Sequence, residues 1–143
     1  MSIKQISVFL ENKPGTLQKM TAVLAANKVD MRALSLAETK DFGIARLIVD
    51  DVLHAVNVLK DADFIASLNS VLAVEIPDEA GGLNSLLQNF ADESVNIEYM
   101  YAFLGTKTGH ACMIFRTSDT KASERKLVGK GIRILTQEDI AEI

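Results

Sequence analysis

Two short glycine turns carry the residues of this sequence best suited to holding a small molecule. In "ENKPGTL" (11–17), Asn12 and Lys13 precede Pro14 and Gly15, and an apolar-periodic run follows. Pro14 fixes its own φ and has no amide to donate, while Gly15 removes the Cβ, so the chain can bend sharply and a guest can approach it. A helix starting at about Thr16 would then present bare backbone N–H groups and the positive end of its dipole, which suits a carboxylate or a phosphate. "PDEAGGL" (77–83) offers the same device, with Asp78 and Glu79 ahead of Gly81 and Gly82, and Ala80 where the first turn has proline. Asp30 and Asn96 stand at matching places, each at the entrance of a predicted strand. Each copy thus holds one Asn and one Asp (Asn12 with Asp30, Asp78 with Asn96), and the expectation is that these converge with the turn. Their oxygens are acceptors that suit an ammonium group. Donors for a carboxylate and acceptors for an ammonium describe a free α-amino acid. Asn and Asp beside Pro and Gly are also ordinary turn formers, and it is the duplication that tilts the reading toward binding.

Other reactive groups are sparse. His54 lies beside Asp50 and Asp51 at a predicted helix start, His110 opens a predicted strand, and neither has a partner at metal-ligand spacing. Cys112, the single cysteine, is two residues from His110 and on the same strand face. A Cys–His nucleophile would need an orienting residue and an oxyanion loop that nothing here suggests. "GTKTG" (105–109) reads as a hairpin turn rather than a phosphate loop. The sequence therefore predicts no catalytic residue, no metal and no cofactor. Tyr99 and Tyr101 share a strand face and could stack bases, but the acidic balance of the chain favours a core or interface role.

The elements that must position these residues follow from periodicity. Ile6, Val8 and Leu10 alternate against Phe9 and predict a strand over 3–10. Leu17, Met20, Thr21 and Leu24 mark one face of a helix reaching about Asn27. A strand over 29–39 is expected with Val29, Met31, Ala33 and Ser35 on one side, and "IARLIVD" predicts a third after a turn at Asp41-Phe42-Gly43. Leu53, Val56, Leu59 and Lys60 predict a second helix, and "FIASL" begins a fourth strand. The order βαββαβ closes naturally as a ferredoxin-like unit.

The pattern then recurs. Gly81 stands 66 residues after Gly15 (81 minus 15), and the same offset takes Val8 to Val74, Val29 to Val95, Gly43 to Gly109, Ala45 to Ala111 and Ile48 to Ile114. It also carries the first helix face onto Leu83, Leu86, Leu87 and Phe90; at the second helix the offset becomes 68, taking Leu59 to Leu127. Such a repeat sets the architecture: two units, residues 1–69 and 70–143, each α+β with an antiparallel sheet packed on helices. No Gly/Pro-rich spacer divides them, and Thr136 followed by acids predicts a short final helix.

The bulk properties bound the function. At 143 residues with net charge −4, and with no clustered basic face, the chain is not expected to bind nucleic acid. No stretch reaches the length of a membrane span and the N-terminus lacks a signal-peptide core, so no membrane partner and a cytoplasmic location are expected.

"SVFLENKPGTLQKMTAVLAANKVDMRALS" and "AVEIPDEAGGLNSLLQNFADESVNIEYMYAF" each resemble the strand, loop and helix that open an ACT domain. Together they cover nearly the whole chain, which is similar to stand-alone tandem ACT proteins. The resemblance implies a βαββαβ fold and amino-acid sites between the first strand–helix loop and the start of the second strand, where two ACT units meet. Carried onto this sequence, it implies Asn12, Gly15, Thr16 and Leu17 with Asp30 and Met31, and Asp78, Gly81, Gly82 and Leu83 with Asn96 and Ile97. Lys13, Pro14 and Glu79 lie within the same turns. The expectation is a non-enzymatic regulatory or sensor module that binds a free amino acid and forms a homodimer. A regulatory subunit docking on an amino-acid biosynthetic enzyme is the alternative.

Overall fold

The computed structural model of the protein describes residues 2–38 and 41–143. Its elements run β1 (Ile3–Glu11), α1 (Thr16–Ala26), β2 (Met31–Glu38), β3 (Phe42–Val49), α2 (Val52–Asp61), β4 (Ile65–Pro77), α3 (Gly82–Asp92), β5 (Ile97–Ala102), β6 (His110–Thr117), α4 (Thr120–Val128) and α5 (Gln137–Glu142). Thr39, the last residue of the predicted second strand, lies outside the described residues. Contacts group Lys4–Asn69 as one compact unit, and Ser70–Ile143 with the chain as far as Ile3 as another. The boundary falls inside β4, at the Asn69-Ser70 step.

In the Lys4–Asn69 unit β3 pairs antiparallel with both β1 and β2. β1 presents Ile6, Val8 and Leu10 to a core shared with Met20 and Leu24 of α1 and Ala55, Val56 and Leu59 of α2, while Phe9 faces the other way. The predicted α2 face needs correction. Val52, Ala55, Val56 and Leu59 point inward, and Leu53 is 73% exposed. At 3.6 residues per turn, Leu53 and Lys60 sit about 100° around the helix from that stripe. A β-bulge between Met31 and Ala33 breaks the predicted alternation of β2. Met31 and Leu34 pack on the helix-side core, whereas buried Ala33 pairs with Ile48, outside that core.

The Ser70–Ile143 unit repeats the plan. β6 pairs antiparallel with β4 and β5, and a bulge recurs between Ile97 and Tyr99. Its core joins Leu72, Val74 and Ile76 to Leu86, Phe90, Phe115 and Leu127. Where the first unit has a fourth strand, this one has a single bridge, Val74 to Ile134, after which Thr136 caps α5 in a reciprocal capping box with Asp139. The final helix predicted from Thr136 is therefore present.

The registers relocate the two-residue insertion between the copies. Val8 lies opposite Ala45 and Val74 opposite Met113, so Ala45 corresponds to Met113, an offset of 68 (113 minus 45), and not to Ala111. The extra residues belong to the turn joining β5 to β6, ahead of the second helix. Strand side chains alternate with period two, so a two-residue slip preserves every apolar position and is invisible to pattern matching.

This equivalence exposes one unsatisfied group. Met31 opposite Val49 matches Ile97 opposite Thr117, so Thr117 occupies a valine site. It is 1% exposed and its hydroxyl has no hydrogen-bond partner among the described residues. Thr117→Val should stabilise the protein by about 1 kcal/mol by removing a desolvated hydroxyl. A raised urea midpoint with an unchanged slope is the expected result, and a lowered midpoint would contradict it.

Candidate functional site

The two glycine turns are built from the same bonds. The Asn12 amide donates to the Asp41 carbonyl at 3.1 Å, and that of Asp78 to the Gly109 carbonyl at 3.0 Å. Lys13 N–H donates to the Glu11 carbonyl and Glu79 N–H to that of Pro77, both at 3.0 Å. Thr16 N–H reaches the Lys13 carbonyl at 3.4 Å, as Gly82 N–H reaches that of Glu79 at 3.0 Å. The same bonds form with Ala80 in the place of Pro14. Gly15 and Gly81 are both left-handed, with φ of 86° and 84°, and each is the N-cap of its helix. A Cβ at either would meet nothing within 4 Å, so the space above both bends is open.

Gly82 differs from the sequence expectation. It is buried, and a Cβ there would run into the Pro77 carbonyl. Its lack of a side chain serves close packing under the turn and adds no open backbone.

Neither α1 nor α3 receives a side-chain cap, and neither has an acid in its first turn. The other helices described are self-capped: Asp51 accepts from the His54 amide, Asp119 from the Ala122 amide, and Thr136 from the Asp139 amide. The positive ends of α1 and α3 are thus left for something else to neutralise. Beside the first turn lies a recess of about 50 Å³ lined by the apolar Leu10, Leu17 and Leu36 and the polar Asn12, Lys13 and Thr16. Lys13 is held at the rim by Glu11 at 2.9 Å, and this ion pair lowers the Glu11 carboxyl below its usual range.

The strand-entrance residues are elsewhere. Asn12 is tied to Asp41 at one end of β3; the Asp30 carbonyl accepts from the Asp50 amide at 3.1 Å, at the other end. In the second unit Asp78 is tied to Gly109, and the Asn96 carbonyl accepts from the Ser118 amide at 3.3 Å, again at opposite ends of β6. The expected convergence of Asn12 with Asp30, and of Asp78 with Asn96, therefore does not occur within a unit. The helix returns the chain along the full length of the sheet, so the second strand starts level with the start of the first. Met31 and Ile97 share this displacement and pack on their cores. The Asp30 carboxylate pairs with Arg32 at 3.2 Å, and Asn96 Nδ2 donates to Ser118 Oγ at 3.0 Å.

A family model described as an ACT domain pair matches residues 1–143. The chain belongs to that family. Its βαββαβ repeat is the architecture the two sequence segments implied. No curated protein matches the chain. Among solved structures, a Bacteroides thetaiotaomicron protein is similar over 100% of this chain and 98% of its own, at 36% identity and a TM-score of 0.92. The ligand-free regulatory subunit of aspartate kinase from Thermus thermophilus shares the fold over 88% of this chain and 90% of its own, at 18% identity and a TM-score of 0.64. The corresponding subunit from Thermus flavus aligns over the same shares at 17% identity, with a TM-score of 0.59.

The ACT pair's remaining polar candidates are engaged in other ways. His110 Nδ1 is 2.8 Å from Glu75 Oε1, so the carboxylate takes the imidazole that a Cys112 nucleophile would need. Burial, reinforced by Glu75, pushes the Cys112 thiol up to about 11. At pH 8 a thiol reagent should therefore modify Cys112 on the order of 100-fold more slowly than an exposed cysteine, with the rate climbing toward pH 11; rapid modification at neutral pH would contradict this. Tyr101 is buried and stacked with Tyr99 at 6.5 Å, so it presents no free face to a base. Among the described residues no group of three or more His, Cys, Asp or Glu side chains is placed to share a metal, and no helix is long and apolar enough to cross a membrane. The cluster around Glu75 was missed by sequence reasoning, since its members come from β4, β6 and the segment after α4.

Proposed function

We propose that this ACT pair is a non-enzymatic regulatory module that binds a free amino acid at its glycine turns. One observation carries the reading: α1 and α3 alone among the described helices lack a side-chain cap, and both start at open left-handed glycines. The ligand carboxylate would lie on the first-turn amides, ringed by Asn12, Lys13, Gly15 and Thr16 in one unit and by Asp78, Glu79 and Gly81 in the other. In the first unit the apolar lining of Leu10, Leu17 and Leu36 suits a small aliphatic side chain. Asp30 and Asn96 lie too far from their own turns to hold the same ligand's ammonium. A homodimer would let the strand entrance of one copy close over the turn of another. Ligand binding would then favour the dimer, which is how occupancy could be passed on.

The test is a melting screen of the full chain against the common amino acids. A ligand at a hundred times its dissociation constant adds about 2.7 kcal/mol of stability. The shift should be lost in Asn12→Ala or Asp78→Ala, and weakened together with self-association in Asp30→Ala or Asn96→Ala. A screen with no responding amino acid would overturn the reading.

A second reading, a regulatory subunit that docks on an amino-acid biosynthetic enzyme, draws support from a different observation. Nearly the whole chain corresponds in fold to nearly the whole of a subunit described as regulatory for aspartate kinase. Co-purification of a kinase with the untagged protein would favour it.

A further inference from the structure

We propose that the Lys4–Asn69 unit carries a docking groove for a short amphipathic helix of a partner protein, on the face of its sheet away from α1 and α2. Phe9 of β1 faces away from the core. Phe42 of β3 joins it there, because Phe42 lies opposite Glu11 and Ile44 opposite Phe9, and residues directly opposite share a face. Phe9 is 47% exposed and Phe42 58%, and with Phe64 and the 70% exposed Ile65 they line one open groove. Single exposed apolar residues are ordinary, but large ones gathered in one groove mark an interaction surface.

The second unit shows what covers this spot. By register, Glu75 opposite Cys112 corresponds to Phe9 opposite Ile44, and His110 corresponds to Phe42. There the chain covers itself. After the bridge from Val74 to Ile134 it turns at Thr136 into α5, whose Asp139 and Glu142 line a cavity with Glu75, His110 and Cys112. Arg133 ties the two sides together, 3.2 Å from Glu75 and 3.9 Å from Asp139, and Ile140 of α5 is fully buried. Cys112 is buried at that place, whereas Ile44 is only half-buried. The Lys4–Asn69 unit ends without such a helix, because β4 runs straight on past Asn69 as the first strand of the second unit, so the chain does not turn back over Phe9. The covered copy thus carries the charged side chains and the uncovered copy the apolar ones, the reverse of what water favours. A helix from another molecule, seated as α5 is, resolves the inversion. Phe9 and Phe42 in place of Glu75 and His110 call for aliphatic or aromatic side chains on it.

The charges around the groove decide the class of partner. Glu11 pairs with Lys13 at 2.9 Å, and Lys19 and Asp63 add one charge of each sign. The rim is neutral overall, so it attracts neither a phosphate backbone nor an anionic lipid surface, both of which need clustered cations. Apolar contact carries the recognition, the mode of an amphipathic helix laid in a groove with anchors at i, i+3, i+4 and i+7. The groove shares Leu10, Glu11, Lys13 and Thr16 with the recess at the first turn, but docking does not rest on a ligand in that recess.

Titration of the full chain with two synthetic peptides, in the absence of amino acids, tests the assignment. One peptide has leucines and a tryptophan at i, i+3, i+4 and i+7, with equal numbers of Glu and Lys elsewhere; the other has the same composition in scrambled order. The chain has no tryptophan, so the indole of the peptide reports its own burial. The ordered peptide should bind with blue-shifted emission and an affinity insensitive to salt, and the scrambled one at least about tenfold more weakly. Phe9→Ser and Phe42→Ser, both at exposed positions, should each lower the affinity about tenfold, as for loss of one large apolar contact. Leu53→Ser, at an exposed apolar residue of α2 outside the groove, should leave it unchanged. No binding of the ordered peptide, equal binding of the scrambled one, or an equal loss on Leu53→Ser would overturn the proposal. So would a parent protein that sediments as a dimer and a Phe42→Ser protein that sediments as a monomer, since the groove would then belong to a second copy.

Discussion

Phe90→Ala is expected to destabilise the Ser70–Ile143 unit by about 3–5 kcal/mol, the range for emptying a buried aromatic site. Phe90 is 1% exposed on α3 and meets Phe115 of β6 edge to face, with ring centroids 4.7 Å apart. The substitution removes the ring's transfer free energy, leaves a cavity, and deletes an aromatic pair worth about 0.5–1.5 kcal/mol beyond its area. Small domains are stable by only about 5–15 kcal/mol, so this loss is a large share of the total. It also loosens the helix that presents the second glycine turn. Urea unfolding followed by circular dichroism should show a midpoint well below that of the parent protein. A loss under about 1 kcal/mol would mean that the core closes over the missing ring, contrary to the packing described.

Gly82→Ala is expected to cost about 1–3 kcal/mol, as overpacking at a site with no room. The obstacle is the Pro77 carbonyl, a backbone atom held where β4 pairs with His110 of β6, so it cannot rotate away as a side chain would. Gly15 and Gly81 provide the contrast. Space above them is open, but their φ values of 86° and 84° strain any residue with a Cβ. Asparagine is among the residues least strained in that region, so Gly15→Asn should cost less than Gly82→Asn, which meets the Pro77 carbonyl as well. Equal losses at Gly15 and Gly82 would show that conformation, not space, governs both positions.

The sequence was most legible where the information is local. Apolar periods marked the strands and helices, the glycines marked both turns, and Thr136 followed by acids marked the last helix, whose capping box with Asp139 the structure adds. It misled where a local pattern has two solutions. Leu53 is as apolar as Val52, and only the packing of α2 on its sheet decides which one turns inward. The bulges after Met31 and Ile97 leave no mark in composition, because a bulge is a property of the pair of strands.

By itself, then, the sequence determined the element order, the duplication and the two bare helix starts, all set by interactions between residues close along the chain. The tertiary structure decided what depends on partners distant in sequence. It set the two-residue slip between the copies, which period-two alternation conceals. It placed Asn12 and Asp30 at opposite ends of β3, because the intervening helix carries the chain the length of the sheet. It also assembled Glu75, His110 and Arg133 from separate segments into one charged cluster, since a strand register brings together residues that no spacing along the chain connects.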